Sequence, residues 1–347
     1  MALAEVVVTD AELEPCCYQA PRWLLDGHLG ASALGGHLQT IWAARFARRY
    51  RGPEPAYRRE RWNTADGDFV DVDFHGDSAV TDHPPWLVLF HGLEGSSRSH
   101  YAQAFASWAR CHGWAYAVPH FRGCSGEVNL TPRAYHSGDH EEIAWILERL
   151  RARSRQPLVV VGVSLGGNAL LRWAEEAGDG AARIARAVCA VSSPIDLAAS
   201  GRAIGVGFNR EVYTRMFLRT MRQKALRKLE QFPGLFSRDK LFAARDLHDF
   251  DDLFTAPLHG FRDADDYWAR ASAKPHLHRV RIPALLINAS NDPIVPGSSI
   301  PGQHQVGPCV TMWQPEHGGH AGFAAGPMPG HLHALPEMVM RWIGEHA

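Results

Sequence analysis

The 347-residue sequence lacks most of the features that assign a protein to a special class. No run of apolar residues approaches the ~18 that a membrane-spanning helix needs. Neither sign of charge dominates: 36 Lys and Arg oppose 37 Asp and Glu, for a net charge of -1. A chain without an overall positive field is a poor candidate for nucleic acid. Cysteine is sparse, with six in all (Cys16, Cys17, Cys111, Cys124, Cys189 and Cys309), no Cys-x-x-Cys pair and no zinc-ligand spacing. So few thiols in so long a chain do not make a disulfide scaffold, and they are expected to be reduced in a cytoplasmic protein. The opening "MALAEVVVTDAELEP" has no positive segment before its apolar residues, so it does not read as a signal peptide. Internal repeats and low-complexity tracts are also missing.

What is present is the profile of a globular enzyme, 46% hydrophobic and 21% charged. Residues 1–56 read as an N-terminal extension, with a helical pattern over 38–50 that carries arginines near its C-terminal end. "RERWNTADGDFVDVDFHG" alternates apolar and polar residues around Asp66-Gly67, a hairpin signal. Beyond it come the apolar runs "WLVLF", "WAYAVP", "PLVVVGV", "ARAVCAVSS", "ALLINAS" and "CVTMWQ". Helix-length segments at 99–112, 139–151 and 168–176 separate several of them. Continuous apolar strands alternating with helices predict an α/β fold, a mostly parallel sheet covered on both faces. The core is expected over 57–195 and 276–347. Residues 196–275 break the alternation with a long helical stretch, read as a helical lid inserted in that core.

In open parallel sheets, ligands bind beyond the carboxyl ends of the strands. Polar and glycine-rich residues follow the apolar runs at just those places. "VVVGV" runs into Gly162-Val163-Ser164-Leu165-Gly166, and from there into a helical pattern. Gly-x-Ser-x-Gly at a strand-to-helix turn is the pattern of a nucleophile elbow: the strained serine brings strand and helix too close for side chains at the flanking glycines. At a helix N-terminus, free N–H groups and the helix dipole favour developing negative charge. The alternative is a serine that only caps a helix.

A serine hydroxyl needs a base, and the base a carboxylate, in the chain order Ser, Asp, His. Asp292 follows "ALLINAS" and His320 follows "CVTMWQ". Asp265 and Asp266 are rival acids placed in the helical stretch, and His317 in "HGGH" is a rival base. His320 is preferred because glycines on either side free its loop. HGGH lacks the helical His spacing of a zinc pair and no third ligand accompanies it, so a zinc site is not expected there. Backbone N–H groups of Leu165 and of Leu93, in the loop His91-Gly92-Leu93, are the candidate oxyanion donors. His91 is read as organising that loop. Arg122, Glu127 and His136, in glycine-rich loops, read as a hydrogen-bonded support or as contacts to a polar substrate group. Cys124 has no base and reads as a packed thiol.

The segment 210–232 has an apolar stripe (Leu218, Met221, Ala225, Leu229, Phe232) opposite Arg215, Arg219, Arg222 and Lys224, with Arg227 and Lys228 nearby. Such a helix can lie on an anionic membrane; the commoner arrangement is a lid helix with a solvated basic face. Phe208, Tyr213, Phe217, Phe254 and Trp268 suggest an acyl pocket.

With these residues in view, the sequence resembles the α/β-hydrolase superfamily, and within it the YheT-like esterase/lipase family (AB hydrolase type four). The resemblance rests on "GGHLQTIW", "DGDFVDVDF", "HGLEGSSRSHYA", "HFRGCSGEVN", "RAYHSGD", "GVSLGGNALL", "FDDLFTAPLHGF", "DYWARASA", "NDPIVP" and "EHGGHAGF", in that order. It implies a triad falling on Ser164, Asp292 and His320, and hydrolysis of a small-molecule acyl ester or lipid without a metal or organic cofactor. Where the family often has Asp-Asp-Pro, this chain has Asn291-Asp292-Pro293, which keeps the acid. Some members carry His-x4-Asp, a pattern linked to acyl transfer; counting on from His136, this chain has Glu141. Acyl transfer to an alcohol is thus a second reading, and a binding protein that keeps the fold without turnover is a third.

Overall fold

The computed structural model describes residues 18–25, 34–76 and 85–347. The opening segment, with Cys16 and Cys17, lies outside them. The short apolar runs become strands of one eight-stranded sheet in the order β1-β2-β4-β3-β5-β6-β7-β8. β1 (Arg58–Asn63) and β2 (Phe69–His75) form the hairpin around Asp66-Gly67. β2 also runs antiparallel to β4 (Tyr116–Pro119). From there β3 (Leu87–Phe90), β5 (Leu158–Val163), β6 (Ala185–Val191), β7 (Ala284–Ile287) and β8 (Val310–Trp313) are all parallel.

The period of two along each strand divides the core in two. Leu87, Leu89, Val159, Val161 and Ile287 face one side, packed with the helices α2 (His100–Cys111) and α9 (Ala334–His346). Val88, Phe90, Val160, Val188 and Leu286 face the other, with α3 (His140–Arg151) and α4 (Leu165–Ala177). A strand buried on both faces must be apolar at every position, which is why these runs show no alternation. Asp139 caps α3 by accepting from the Glu142 N–H.

α1 (Leu34–Arg45) begins and ends earlier than its sequence pattern suggests. The chain leaves the helix because Arg48 pairs with the chain near the C-terminal helix: its N–H donates to Gly330 O, and Leu332 N–H donates to Arg48 O. Between β6 and β7 lie α5 (Leu197–Ile204), α6 (Arg215–Gln231), α7 (Arg238–Ala243) and α8 (Ala264–Ala271), with short helical turns between them. They pack through small clusters of their own, one around Leu218, Ala225, Leu241, Phe250 and Phe254. Among the described residues, no helix is long and apolar enough to cross a membrane.

Candidate active site

Ser164 stands between β5 and α4 with φ 54° and ψ −124°, a left-handed backbone that an L-residue adopts only under constraint. Its neighbours supply that constraint. A Cβ on Gly162 would sit 2.5 Å from Gly166 O, and one on Gly166 would sit 2.5 Å from both Phe90 O and His91 O. Strand, turn and helix therefore meet backbone to backbone, and Ser164 is held at the turn while its N–H still donates to Val191 O of β6 at 2.8 Å.

Its hydroxyl oxygen lies 3.0 Å from His320 Nε2. His320 Nδ1 faces Asp292, 2.9 Å from Oδ2 and 3.2 Å from Oδ1. The Asp292 carboxylate is buried and accepts from the N–H groups of Ile294 (2.8 Å) and Val295 (3.0 Å). These bonds orient it and leave its second oxygen for the imidazole. The rivals are elsewhere. His317 makes its nearest ion-pair approach to Glu316, at 3.9 Å. Asp265 faces His248, and Asp266 receives Arg262 N–H and Arg270.

The loop of His320 is held by groups that the sequence did not single out. Thr40 Oγ1 accepts from His320 N–H at 2.8 Å, and Ser192 Oγ from Ala321 N–H at 2.9 Å. Gln39 Oε1 accepts from Gly318 N–H at 2.8 Å and from Asn291 Nδ2 at 3.0 Å, so one side chain ties the acid loop to the histidine loop. "GGHLQTIW" entered only through its resemblance; nothing in α1 marks Gln39 or Thr40 as site residues before the tertiary fold is known.

Leu93 and Leu165 both line the cavity that opens on Ser164. Gly92 lies against the serine: a Cβ there would be 3.0 Å from Ser164 Cβ. Its N–H donates to Tyr101 Oη at 2.8 Å. His91 is fully buried with both ring nitrogens engaged, Nδ1 with Gly92 O at 2.8 Å and Nε2 accepting from Phe121 N–H at 3.2 Å. Burial pushes its pKa down to about 3, so it is a neutral brace.

Arg122 reaches the cavity wall and belongs to a buried network there. Its Nε meets Glu142 at 2.5 Å and its Nη1 meets Asp66 and Asp68 at 2.7 and 3.0 Å. Glu127 is not part of it and instead pairs with Arg61 on the surface. His136 packs against His259, with ring centres 4.3 Å apart, and burial lowers its pKa to about 4. It accepts from Gly138 N–H and also lines the cavity.

The cavity is ≈ 150 Å³ and mostly apolar, with Phe217, Met221, Phe254 and Trp268 on its wall. Two aromatics expected there are not. Phe208 and Tyr213 gather around His37 instead, Phe208 remaining 44% exposed. The basic face of α6 is also corrected. Lys224 and Lys228 turn inward, because this side of the helix sits against the loops that follow β3 and β4 rather than beside open solvent. Lys224 Nζ is 2.7 Å from Glu94 Oε1 and 3.3 Å from Cys124 Sγ. Lys228 donates to Asn129 O and Thr131 O, and burial lowers its pKa to about 8. Cys124 is a packed thiol, its pKa pushed by burial up to about 11. Among the described residues, no three His, Cys, Asp or Glu side chains are grouped to hold a metal ion.

With this geometry in place, comparison with known proteins is informative. Residues 85–327 match the family model for the alpha/beta hydrolase fold. The chain is 40% identical over 293 residues to the Escherichia coli (strain K12) protein named "Putative esterase YheT", covering 84% of each. It is 29% identical over 285 residues to mouse "Phospholipase ABHD3", covering 80% of this chain and 69% of that one. A yeast (Saccharomyces cerevisiae) "Monoacylglycerol lipase" is 29% identical over 251 residues, 70% of this chain and 55% of its own. Among solved structures, mouse alpha/beta hydrolase domain-containing protein 10 superposes with a TM-score of 0.51 at 15% identity, covering 83% of this chain and 99% of that one. Est1E from Butyrivibrio proteoclasticus gives 0.51 at 16%, covering 84% and 98%. These two support the fold alone. The chain belongs to the α/β-hydrolase family, among its YheT-like members. By class it is an esterase/lipase-type hydrolase of carboxylic esters.

Proposed function

We propose that the chain is a serine esterase that hydrolyses hydrophobic acyl esters through an acyl-enzyme on Ser164. Ser164 Oγ attacks the ester carbonyl as His320 Nε2 takes its proton. The Leu93 and Leu165 N–H groups hold the oxyanion, and His320 gives the proton to the departing alkoxide. Water then attacks the acyl-enzyme, its proton passing to His320 and on to Ser164 as the carboxylic acid leaves. Asp292 keeps the imidazole in the tautomer that accepts at Nε2 and stabilises the imidazolium. His91, Gly92, Arg122 and His136 support the oxyanion loop. The observation that carries the proposal is the unbroken relay from Ser164 to His320 (3.0 Å) and from His320 to Asp292 (2.9 Å) beside an apolar cavity.

The helices α5 to α8 act as a cap whose inner side forms the acyl pocket, and α1 serves as a brace for the histidine loop through Gln39 and Thr40. A lipid ester suits an apolar cavity of this kind, and relatives carrying phospholipase and monoacylglycerol lipase names favour such a substrate. Cys111, Cys124, Cys189 and Cys309 are free thiols, in keeping with a reducing cytoplasm.

Release of p-nitrophenol from a short and a medium acyl ester tests the mechanism. Ser164→Ala and His320→Ala each lower kcat by roughly 10⁴-fold or more with folding intact. Turnover surviving in Ser164→Ala would place the nucleophile elsewhere. An added alcohol should divert a minor share of product; if ester formation dominates, the enzyme is an acyltransferase.

A further inference from the structure

A groove on the outer side of α6, against α7, has a composition unlike the rest of the molecule. Its walls carry Arg210, Arg215, Arg219, Arg222 and Arg245, and neither Asp nor Glu is among the lining residues. Arg215 pairs with Glu211, and Arg222 donates to Ala244 O. Among the described residues, the guanidinium groups of Arg210, Arg219 and Arg245 have no carboxylate partner, although the Arg245 backbone N–H donates to Asp249 Oδ2 at 2.7 Å. Phe242 also lines the groove and is 55% exposed, and Met216, next in the chain to Arg215, is 50% exposed. A chain with net charge -1 thus gathers several free guanidinium groups on one face, alongside bare apolar side chains.

We propose that this outer face of α6 and α7 docks on an anionic phospholipid membrane. Guanidinium forks match the oxygens of phosphate, and fixed positive charge on one face is complementary to a leaflet carrying negative lipid. A soluble anion would account for the arginines but not for Phe242 and Met216, which are placed to enter the boundary between head groups and acyl chains. Position adds to this. The inner face of the same helix contributes Phe217 and Met221 to the cavity beside Ser164. A docked α6 therefore holds the catalytic cavity about one helix diameter, ~10 Å, from the lipid layer. The docking surface is independent of the catalytic reading, because none of its residues takes part in the chemistry.

The test is sedimentation of the full-length Ser164→Ala protein, which does not consume lipid, with two sets of vesicles: phosphatidylcholine alone, and phosphatidylcholine mixed with phosphatidylglycerol. The mixed vesicles are expected to bind it at least tenfold more tightly, with the preference falling as salt rises. Each basic residue near a charged surface contributes about fivefold, so Arg210→Gln/Arg219→Gln/Arg245→Gln should bind them about a hundredfold more weakly. The same triple change in the wild-type chain should leave turnover of a soluble p-nitrophenyl ester unchanged, which shows that it folds. Phe242→Ser should weaken the binding that persists at high salt. Equal binding to both vesicle sets, or an unaffected triple variant, overturns the proposal. So does full competition by inorganic phosphate at matched concentration, which would make the groove a soluble-anion site. Tighter binding to a single-stranded oligonucleotide than to vesicles overturns it too. These readouts need no turnover, so a failed docking surface and a failed esterase would be told apart.

Discussion

The hydroxyl of Thr40 accepts a hydrogen bond from the backbone N–H of His320 at 2.8 Å and donates its own to Gly36 O at 2.7 Å. A side chain from the first described long helix thereby fixes the loop of the proposed general base, 280 residues further along the chain. Thr40→Val keeps the shape and removes both bonds. An unsatisfied buried donor costs about 1–3 kcal/mol, and the loop is expected to shift to escape that cost. The expected outcome is a kcat lowered by about tenfold with KM nearly unchanged, restored by Thr40→Ser. Steady-state kinetics on one ester decides it: a rise in KM alone would mean that Thr40 shapes the pocket instead.

Gly166→Ala should damage the elbow as a whole. The new Cβ would meet two carbonyl oxygens that belong to β3 and the loop after it, and neither backbone can retreat without moving the sheet. Forced overpacking of this kind costs about 1–3 kcal/mol. Urea unfolding should report that loss, and p-nitrophenyl ester turnover should fall with it because Ser164 moves. An active, fully stable variant would show that the strand and helix have slack that their spacing denies.

The ion pair between Lys224 and Glu94 couples the helical segment to the residue after Leu93. Glu94 is 9% exposed at its side chain and holds φ 57°, and it also accepts from Tyr135 Oη at 2.9 Å. Lys224→Met leaves that carboxylate without its cation and is expected to cost about 1–2 kcal/mol of stability, with kcat falling several-fold. Adding Glu94→Gln should return most of the stability, since no buried charge is then left alone. A double-mutant cycle in denaturant measures the coupling; strict additivity would reduce the pair to a surface contact.

Acid stability should depend on Asp68. Burial alone would raise its pKa, but hydrogen bonds from Asn129 and Thr131 and from the Leu130 and Phe69 N–H groups outweigh it and hold the carboxyl at about 2. The unfolded chain protonates this group nearer its ordinary value of ~3.9. Between those limits the unfolded state binds more protons, so the contribution is complete above about pH 4 and fades as the pH falls toward 2. Asp68→Asn should therefore be less stable at neutral pH and lose less between pH 4 and 2. Urea midpoints across that range check the sign.

The parallel strands were legible because burial on both faces demands apolar residues at every position, and Leu158–Val163 or Leu87–Phe90 have nothing else. Ser164, Asp292 and His320 stood out because each lies at or in the loop beyond the carboxyl end of a strand, and the structure brings the three within hydrogen-bonding distance. Side-chain direction on α6 was not legible. Helical periodicity put Lys224 and Lys228 with the arginines, whereas their long stems reach inward to Glu94, Asn129 and Thr131. The same blindness applies to Gln39 and Thr40, polar residues of ordinary helix type whose partners lie some 250 to 280 residues away. Phe208 and Tyr213 read as pocket residues from their aromatic character alone, which carries no information about which neighbour they meet.

Asn168, one turn into the helix after Ser164, joins three residues from two separate segments. Its Nδ2 donates to Ser137 O and Ala271 O, and its Oδ1 accepts from Ala273 N–H, so it grips the last turn of α8 where the chain returns toward β7. The far end of the helical segment is thus bolted to the same short helix that presents the nucleophile. Variation between these attachments can remodel what enters the cavity, while the returning chain is still delivered to one fixed point. Selectivity is free to diverge there without renegotiating the chemistry.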